Sequence, residues 1–432
     1  MTWLGRHNPL INRNFALLWA AQGLSFMGDR IFDTTLVVWI GVVLARGQSW
    51  APLAVSGVFV AAAVPTLVIG PIAGVFVDRW DKRRILYLTD AVRAASIALL
   101  LLLTESIGLR HGATILELSA IYVVVFVAAS CSQFFSPARI ALIADVVPES
   151  ARPQATSMSQ INSSLSSIIG PPIAVPVLFV LGIEWALIVN ALSFACSAGL
   201  AYAVRGVGAS RRSEVGQATH FFRELREGLQ FTMASTVART VLVALFLVML
   251  GASTINALDI FFVTTNLHTS ANLYGFVSAA MGGGVLIGAL VAGAVASRIK
   301  FIRLFWISLT ALGVLLVVYA RMTTFLGAVV VLFLAGFPQA AVNVVVGPML
   351  LAAVPRALIG RVFSLLQPVV TVAGLASTAT SGFLASSLLF GLHMQIGPIE
   401  VGTYDTIFSI AGLLIVAGGL YAQRSLAGRP TV

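Results

Sequence analysis

The eleven residues from Gly74 to Arg84, GVFVDRWDKRR, hold six ionised side chains and lie between two long apolar runs. An Asp, Lys or Arg at the centre of a bilayer costs roughly 2.5 to 3.5 kcal/mol on an insertion scale, so a segment this charged belongs at a membrane face. The flanking runs are near the roughly 20 residues that cross a bilayer as helix. They lack the two-residue alternation of a transmembrane strand. Composition agrees: 59% of the 432 residues are hydrophobic and 10% are charged, against about 25% charged in soluble domains. An all-α membrane protein is expected.

Twelve transmembrane helices can be read from the runs, near 15–45, 52–77, 85–103, 115–135, 155–181, 185–204, 240–265, 274–296, 301–320, 325–346, 362–390 and 404–422. The first is too long for a signal-peptide core and carries Asp29, Arg30 and Asp33. The polar stretch between helices six and seven suggests an N-terminal six-helix bundle over 1–205, a cytoplasmic linker over 206–239 and a C-terminal six-helix bundle over 240–432. In the linker, Phe221, Phe222, Leu225 and Leu229 recur at helical spacing with Arg223, Glu224, Arg226 and Glu227 on other faces. That pattern suits either an amphipathic helix lying on the inner membrane surface or a solvated connector.

Basic residues set the expected orientation. With the N-terminus inside, twenty-one of the twenty-six Lys and Arg fall in cytoplasmic segments, and only Arg46, Arg110 and Arg321 fall outside. Both termini are therefore expected in the cytoplasm of a multi-pass protein in a bacterial inner membrane. The net charge of +10 then follows from topology and attraction to anionic lipid, with no nucleic-acid partner required. Cys131 and Cys196 lie in apolar runs and read as small buried hydrophobes, and the five histidines form no metal-ligand pattern. No Walker A loop, zinc pair or nucleophile elbow occurs, so neither an enzyme nor an ATP-driven pump is expected.

The two halves echo each other. Phe134 to Arg152, FFSPARIALIADVVPESAR, and Phe337 to Arg361, FPQAAVNVVVGPMLLAAVPRALIGR, both run from a proline in an apolar helix to Val-Pro and then Arg before the next helix. Duplicated six-helix units are typical of secondary transporters that rock about a central site.

With Gly74, Asp78, Arg79, Lys82, Arg83 and Arg84 in the loop between helices two and three, the chain resembles the major facilitator superfamily, with Asp81 replacing that loop's usual second glycine. The segments PAR at Pro137 to Arg139, VPE at Val147 to Glu149 and IGP at Ile169 to Pro171 resemble the branch of enterobactin exporters and macrolide efflux proteins. The resemblance implies two pseudo-symmetric bundles and export of a small amphiphilic molecule (drug, macrolide or siderophore) by proton antiport and alternating access. It also implies a functional monomer with no cofactor beyond the proton gradient. In the family, the aspartate matching Asp78 docks on the cytoplasmic start of helix eleven, here near Arg361, where the helix N-terminus favours a carboxylate. Arg79 and Arg83 are expected to pair with Asp145, so that Gly74, Asp78, Arg79, Arg83, Arg84, Asp145 and Arg361 form a latch.

Asp29 and Asp33 are four residues apart on one side of helix one, with Arg30 placed to neutralise Asp33. Ionisable groups at membrane depth point to function. TINALD in helix seven sets Asp259 where GDRIFD sets Asp33, so Asp259 is expected to face the same cavity. The set Asp29, Arg30, Asp33 and Asp259 is either a proton-coupling site or a structural ion-pair network. Asp90 and Arg93 are expected as a structural pair near the inner surface. Phe26, Gln133, Asn162, Asn256, Phe261, Asn343 and Gln367 mix aromatic walls with amides, as a cavity for a bulky amphiphile requires. Alternatives are nutrient uptake or lysophospholipid flipping by the same motion, or a transport-like membrane sensor.

Overall fold

A computed structural model describes residues 11–106, 114–205, 221–296, 298–396 and 399–427. The side chains of Val75, Asp78, Glu105, Ser106, Phe221 to Leu225, Ala357, Ile396, Ile399 and Glu400 also lie outside the described set. Among the described residues, eleven helices are long and apolar enough to cross a membrane. The first helix, α1 (Arg13–Val38), is not among them, since Asp29, Arg30 and Asp33 interrupt its apolar sequence. Large apolar side chains point outward, with Ile115 82%, Leu290 75% and Leu326 72% exposed. Hydrocarbon is the solvent such a surface requires.

Helices α2 (Ala51–Val68) and α3 (Gly70–Arg79) replace the single helix expected over 52–77, because Pro71 opens α3 where a backbone N–H is dispensable. They are followed by α4 (Lys82–Ser106), α5 (Thr114–Val146), α6 (Arg152–Pro176) and α7 (Ile183–Ala203). Helix α5 continues eleven residues past the expected end at 135 and takes Pro137 into its interior. Neighbouring helices supply the packing that lets a membrane helix tolerate the lost hydrogen bond. A π-helical turn (Val177–Leu181) ends at Gly182, whose φ of +97° makes the corner into α7.

The second half contains α8 (Phe221–Ala234), α9 (Thr236–Thr265), α10 (Tyr274–Ala296), α11 (Phe301–Ala320), α12 (Phe325–Ala353), α13 (Ile359–Ser386) and α14 (Thr403–Leu426). Helix α12 outlasts its expected end at 346, while α13 stops before 390. A hairpin of β1 (His393–Ile396) and β2 (Ile399–Gly402), which the sequence reading lacks, then leads into α14.

The internal echo takes physical form. After α5, Val147-Pro148 leads through a 3₁₀ turn (Glu149–Ala151) into α6, and after α12, Val354-Pro355 leads through a 3₁₀ turn (Arg356–Leu358) into α13. Pro148 (φ −54°, ψ 147°) and Pro355 (φ −56°, ψ 142°) share one conformation.

The chain divides into two compact units. One is Met1–Trp39 with Ala61–Glu214, and the other is Ile40–Val60 with Val215–Val432. In the first, Trp19 donates to Met158 O (2.9 Å) and Gln22 to Ser159 O (3.2 Å), joining α1 to α6. The second holds the π-helical end of α1 (Trp39–Leu44) from Ile40 onward and the start of α2, where the Leu53 N–H donates to Ser386 Oγ at 3.0 Å. Small residues let its helices cross closely: a Cβ on Gly288 would lie 2.6 Å from Phe337 Cα, and one on Gly313 would lie 2.6 Å from Gly412 O.

Candidate transport site

The charged loop adopts a different pairing from the expected latch. Lys82, not Arg79 or Arg83, pairs with Asp145, at 2.7 Å. Lys82 is the first residue of α4 and reaches the end of α5. Arg83, turned by one helical step of about 100°, donates to the Tyr202 carbonyl and lies 5.0 Å over the Tyr202 ring of α7. Arg79 is exposed, and Arg84 stays with Asp81, donating its backbone N–H to Asp81 Oδ1 at 3.0 Å with its side chain 3.9 Å from Oδ2. Gly74 has open space around it. The Asp78 side chain lies outside the described residues, so its docking does too.

Arg361 instead pairs with Glu227 of α8. The same helix approaches so closely that a Cβ on Gly228 would sit 2.8 Å from the Arg361 carbonyl oxygen. Of the linker, 206–220 lie outside the described residues, and α8 rests on the start of α13. The side chains of Phe221, Phe222, Arg223, Glu224 and Leu225 are likewise outside the described set.

The cavity candidates separate into committed and open groups. Asn162 is buried and donates to Trp19 O at 2.7 Å, while Gln133 donates to Thr66 Oγ1 at 3.1 Å. Both hold helices together. Phe261 is buried and stacks on Tyr404 with ring centres 5.7 Å apart. Asn256, Asn343 and Gln367 are exposed on α9, α12 and α13. Phe26 is half-buried beneath the guanidinium of Arg139, 5.2 Å from its ring centre. Arg139, which the sequence reading set in a cytoplasmic segment, lies within α5 with a buried Nε that lacks a hydrogen-bond partner.

The membrane-depth acids separate similarly. Arg30 and Asp33 are exposed on α1, and Asp29 is half-buried. Gly170 of α6 leaves room for Arg30, whose Cβ would lie 2.7 Å from a Cβ at that position. Asp259 does not face an opening: it is 3% exposed and accepts a hydrogen bond from Tyr319 of α11. The register with Asp33 fixes its place along α9, but packing of Phe262, Tyr319 and Phe408 encloses it.

Asp90 and Arg93 form the expected pair and are buried among the helices. They are 0% and 1% exposed, paired at 3.4 Å within α4. Arg93 also donates to Ser132 of α5 and Ser25 of α1, and its guanidinium lies 5.2 and 5.3 Å from the rings of Phe135 and Phe194. Cys131 is half-buried, and Cys196 is exposed, contrary to expectation. Among the described residues no His, Cys, Asp or Glu cluster is spaced for a metal.

Residues 4–402 match the family described as transmembrane secretion effector, whose members are major facilitator proteins. The chain is a major facilitator superfamily transporter. This transporter is 29% identical over 403 residues to the multidrug efflux pump Tap of Mycolicibacterium fortuitum, covering 90% of this chain and 91% of that one. It is 25% identical over 315 residues to macrolide efflux protein A of Streptococcus pyogenes, covering 70% and 72%. The nucleoside transporter NupG superposes with a TM-score of 0.74 at 13% identity, covering 97% of this transporter and all of that chain. A D-xylose-proton symporter superposes at 0.72 and 14%, covering 95% and 96%. Those two likenesses show the fold alone. The major facilitator chain is thus a multi-pass bacterial inner-membrane transporter of a small molecule and not an enzyme.

The sequence reading of this transporter missed Ser197 and Tyr319 as partners of its acids, and Arg139 as a cation within a spanning helix. Ser197 and Tyr319 carry no charge of their own. Arg139 had a visible signal in the PAR segment, discounted by ending helix four too soon.

Proposed function

We propose that this transporter exports a bulky amphiphilic molecule, such as a macrolide, another drug or a siderophore, by proton antiport and alternating access. Similarity over most of the chain to proteins named for macrolide and multidrug efflux carries the reading of efflux. The polar surfaces suit the task. Exposed amides at Asn256, Asn343 and Gln367 offer hydrogen bonds without charge, as an apolar ligand with a few polar groups requires. The exposed Asp33 beside Arg30 gives a carboxylate that can take up and release a proton. A monomer working on the proton gradient, without a cofactor, completes the proposal.

The test is reconstitution of the full chain in vesicles with labelled erythromycin. An imposed pH gradient should drive erythromycin against its concentration gradient, and collapse of the gradient should leave only downhill movement. Transport insensitive to the gradient would refute antiport.

A further inference from the structure

Three acids and two guanidinium groups form one electrostatic cluster in the first unit. Asp29 is within reach of Arg30 and Arg93, Asp33 of Arg30 and Asp29, and Asp90 of Arg93 and Asp29. Fully ionised, the cluster carries one unmatched negative charge. A single bound proton removes that excess. Asp33 is exposed and Asp29 half-buried, whereas Asp90 is sealed from solvent.

The hydrogen bonding around Asp90 suits both of its charge states. Ser197 Oγ on α7 lies 2.5 Å from Asp90 Oδ2 and 3.0 Å from the Ala21 carbonyl oxygen of α1. A hydroxyl has one hydrogen and can also accept. With Asp90 ionised, Ser197 donates to Oδ2. With Asp90 protonated, the carboxyl O–H donates to Ser197 Oγ, and the serine hydrogen turns to the Ala21 oxygen. In both states the Ser197 hydrogen and the carboxyl proton have an acceptor, so neither is stranded, a loss that otherwise costs about 1–3 kcal/mol.

We propose that Asp90 is a reversible proton site, with Ser197 as the hydroxyl that serves both of its states. The titratable and charged groups facing it are Arg93 on its own helix, Asp29 on α1 and Cys131 on α5; α7 contributes the neutral Ser197. The proton comes from water and returns to it. An O–H bond forms on Oδ2 during loading and breaks during release, with no other bond changed. The part this site plays in transport rests on the antiport reading, but its existence does not.

The deciding measurement is infrared difference spectroscopy of the full-length protein in phospholipid vesicles, titrated from mildly alkaline to mildly acid pH without substrate. Wild type should develop a protonated-carboxyl C=O band that Asp90→Asn removes. Ser197→Ala should keep that band while shifting its frequency and midpoint. Retention of the full band in Asp90→Asn overturns the site, as does an unshifted band in Ser197→Ala. If Asp90→Asn does not fold, the Ser197→Ala spectrum decides. In the same vesicles, loss of gradient-driven erythromycin movement in Asp90→Asn supports a coupling role, and wild-type accumulation by that variant overturns it. If wild type shows the Asp90 band without gradient-driven transport, the antiport reading and the coupling role both fall while the proton site stands.

Discussion

Single side chains in this protein serve packing as often as ligand binding, and an amide's sequence does not reveal which. Asn162 and Asn343 both stand in long helices, yet Asn162 is spent on the Trp19 carbonyl while Asn343 is exposed. The difference is the angle at which each residue leaves its helix relative to a neighbour. That angle is set by tertiary packing. Asn162→Ala should lower stability by about 0.5–1.5 kcal/mol through the lost hydrogen bond between α6 and α1, read as a fall in thermal unfolding temperature. Asn343→Ala should leave unfolding unchanged and instead weaken erythromycin binding several-fold, measured by equilibrium binding to the purified protein. An unfolding change of equal size in both variants would contradict this division. Asp145 taught the same lesson: an ion pair at a helix start was legible, but choosing Lys82 over Arg83 required the helix phase.

At the scale of elements, apolar runs located the spanning helices because a bilayer demands internal backbone hydrogen bonding. Their ends were less legible. Pro137 and Pro348 both lie inside helices, just past the points at 135 and 346 where the sequence reading ended them. Helix crossings are fixed by glycines: a Cβ on Gly284 would lie 3.1 Å from Gly336 Cα, and one on Gly288 would lie 3.2 Å from Ala340 Cβ. Gly336→Val should therefore wedge α10 from α12 and destabilise the protein by about 1–3 kcal/mol or more through overpacking. Gly293→Ala, with nothing within 4 Å of the added atom, should be neutral in the same thermal assay. Equal losses in the two variants would show that general glycine replacement, rather than the crossing, is responsible.

For the whole molecule, the charged loop was the strongest guide to a membrane fold and the repeated Val-Pro turns to its duplication. Residues 40–60 grouping with the second unit had no sequence signal, since that assignment depends on contacts remote in the chain. Replacing Arg79, Lys82, Arg83 and Arg84 together by glutamine should reduce correctly inserted protein several-fold, because the loop's positive charge helps set orientation. Reporter fusions and quantification in membranes would measure this. The fraction that does insert should bind erythromycin as wild type does, and normal insertion with altered binding would contradict the assignment. Lys82 and Lys300 are the chain's only lysines, and they stand in opposite settings: Lys300 is exposed, while Lys82 is held against Asp145. Amine-directed chemistry therefore has two side-chain targets in this protein. Their relative modification, read by mass spectrometry with Lys300 as internal standard, turns one ion pair into a native reporter of when the α4–α5 contact opens.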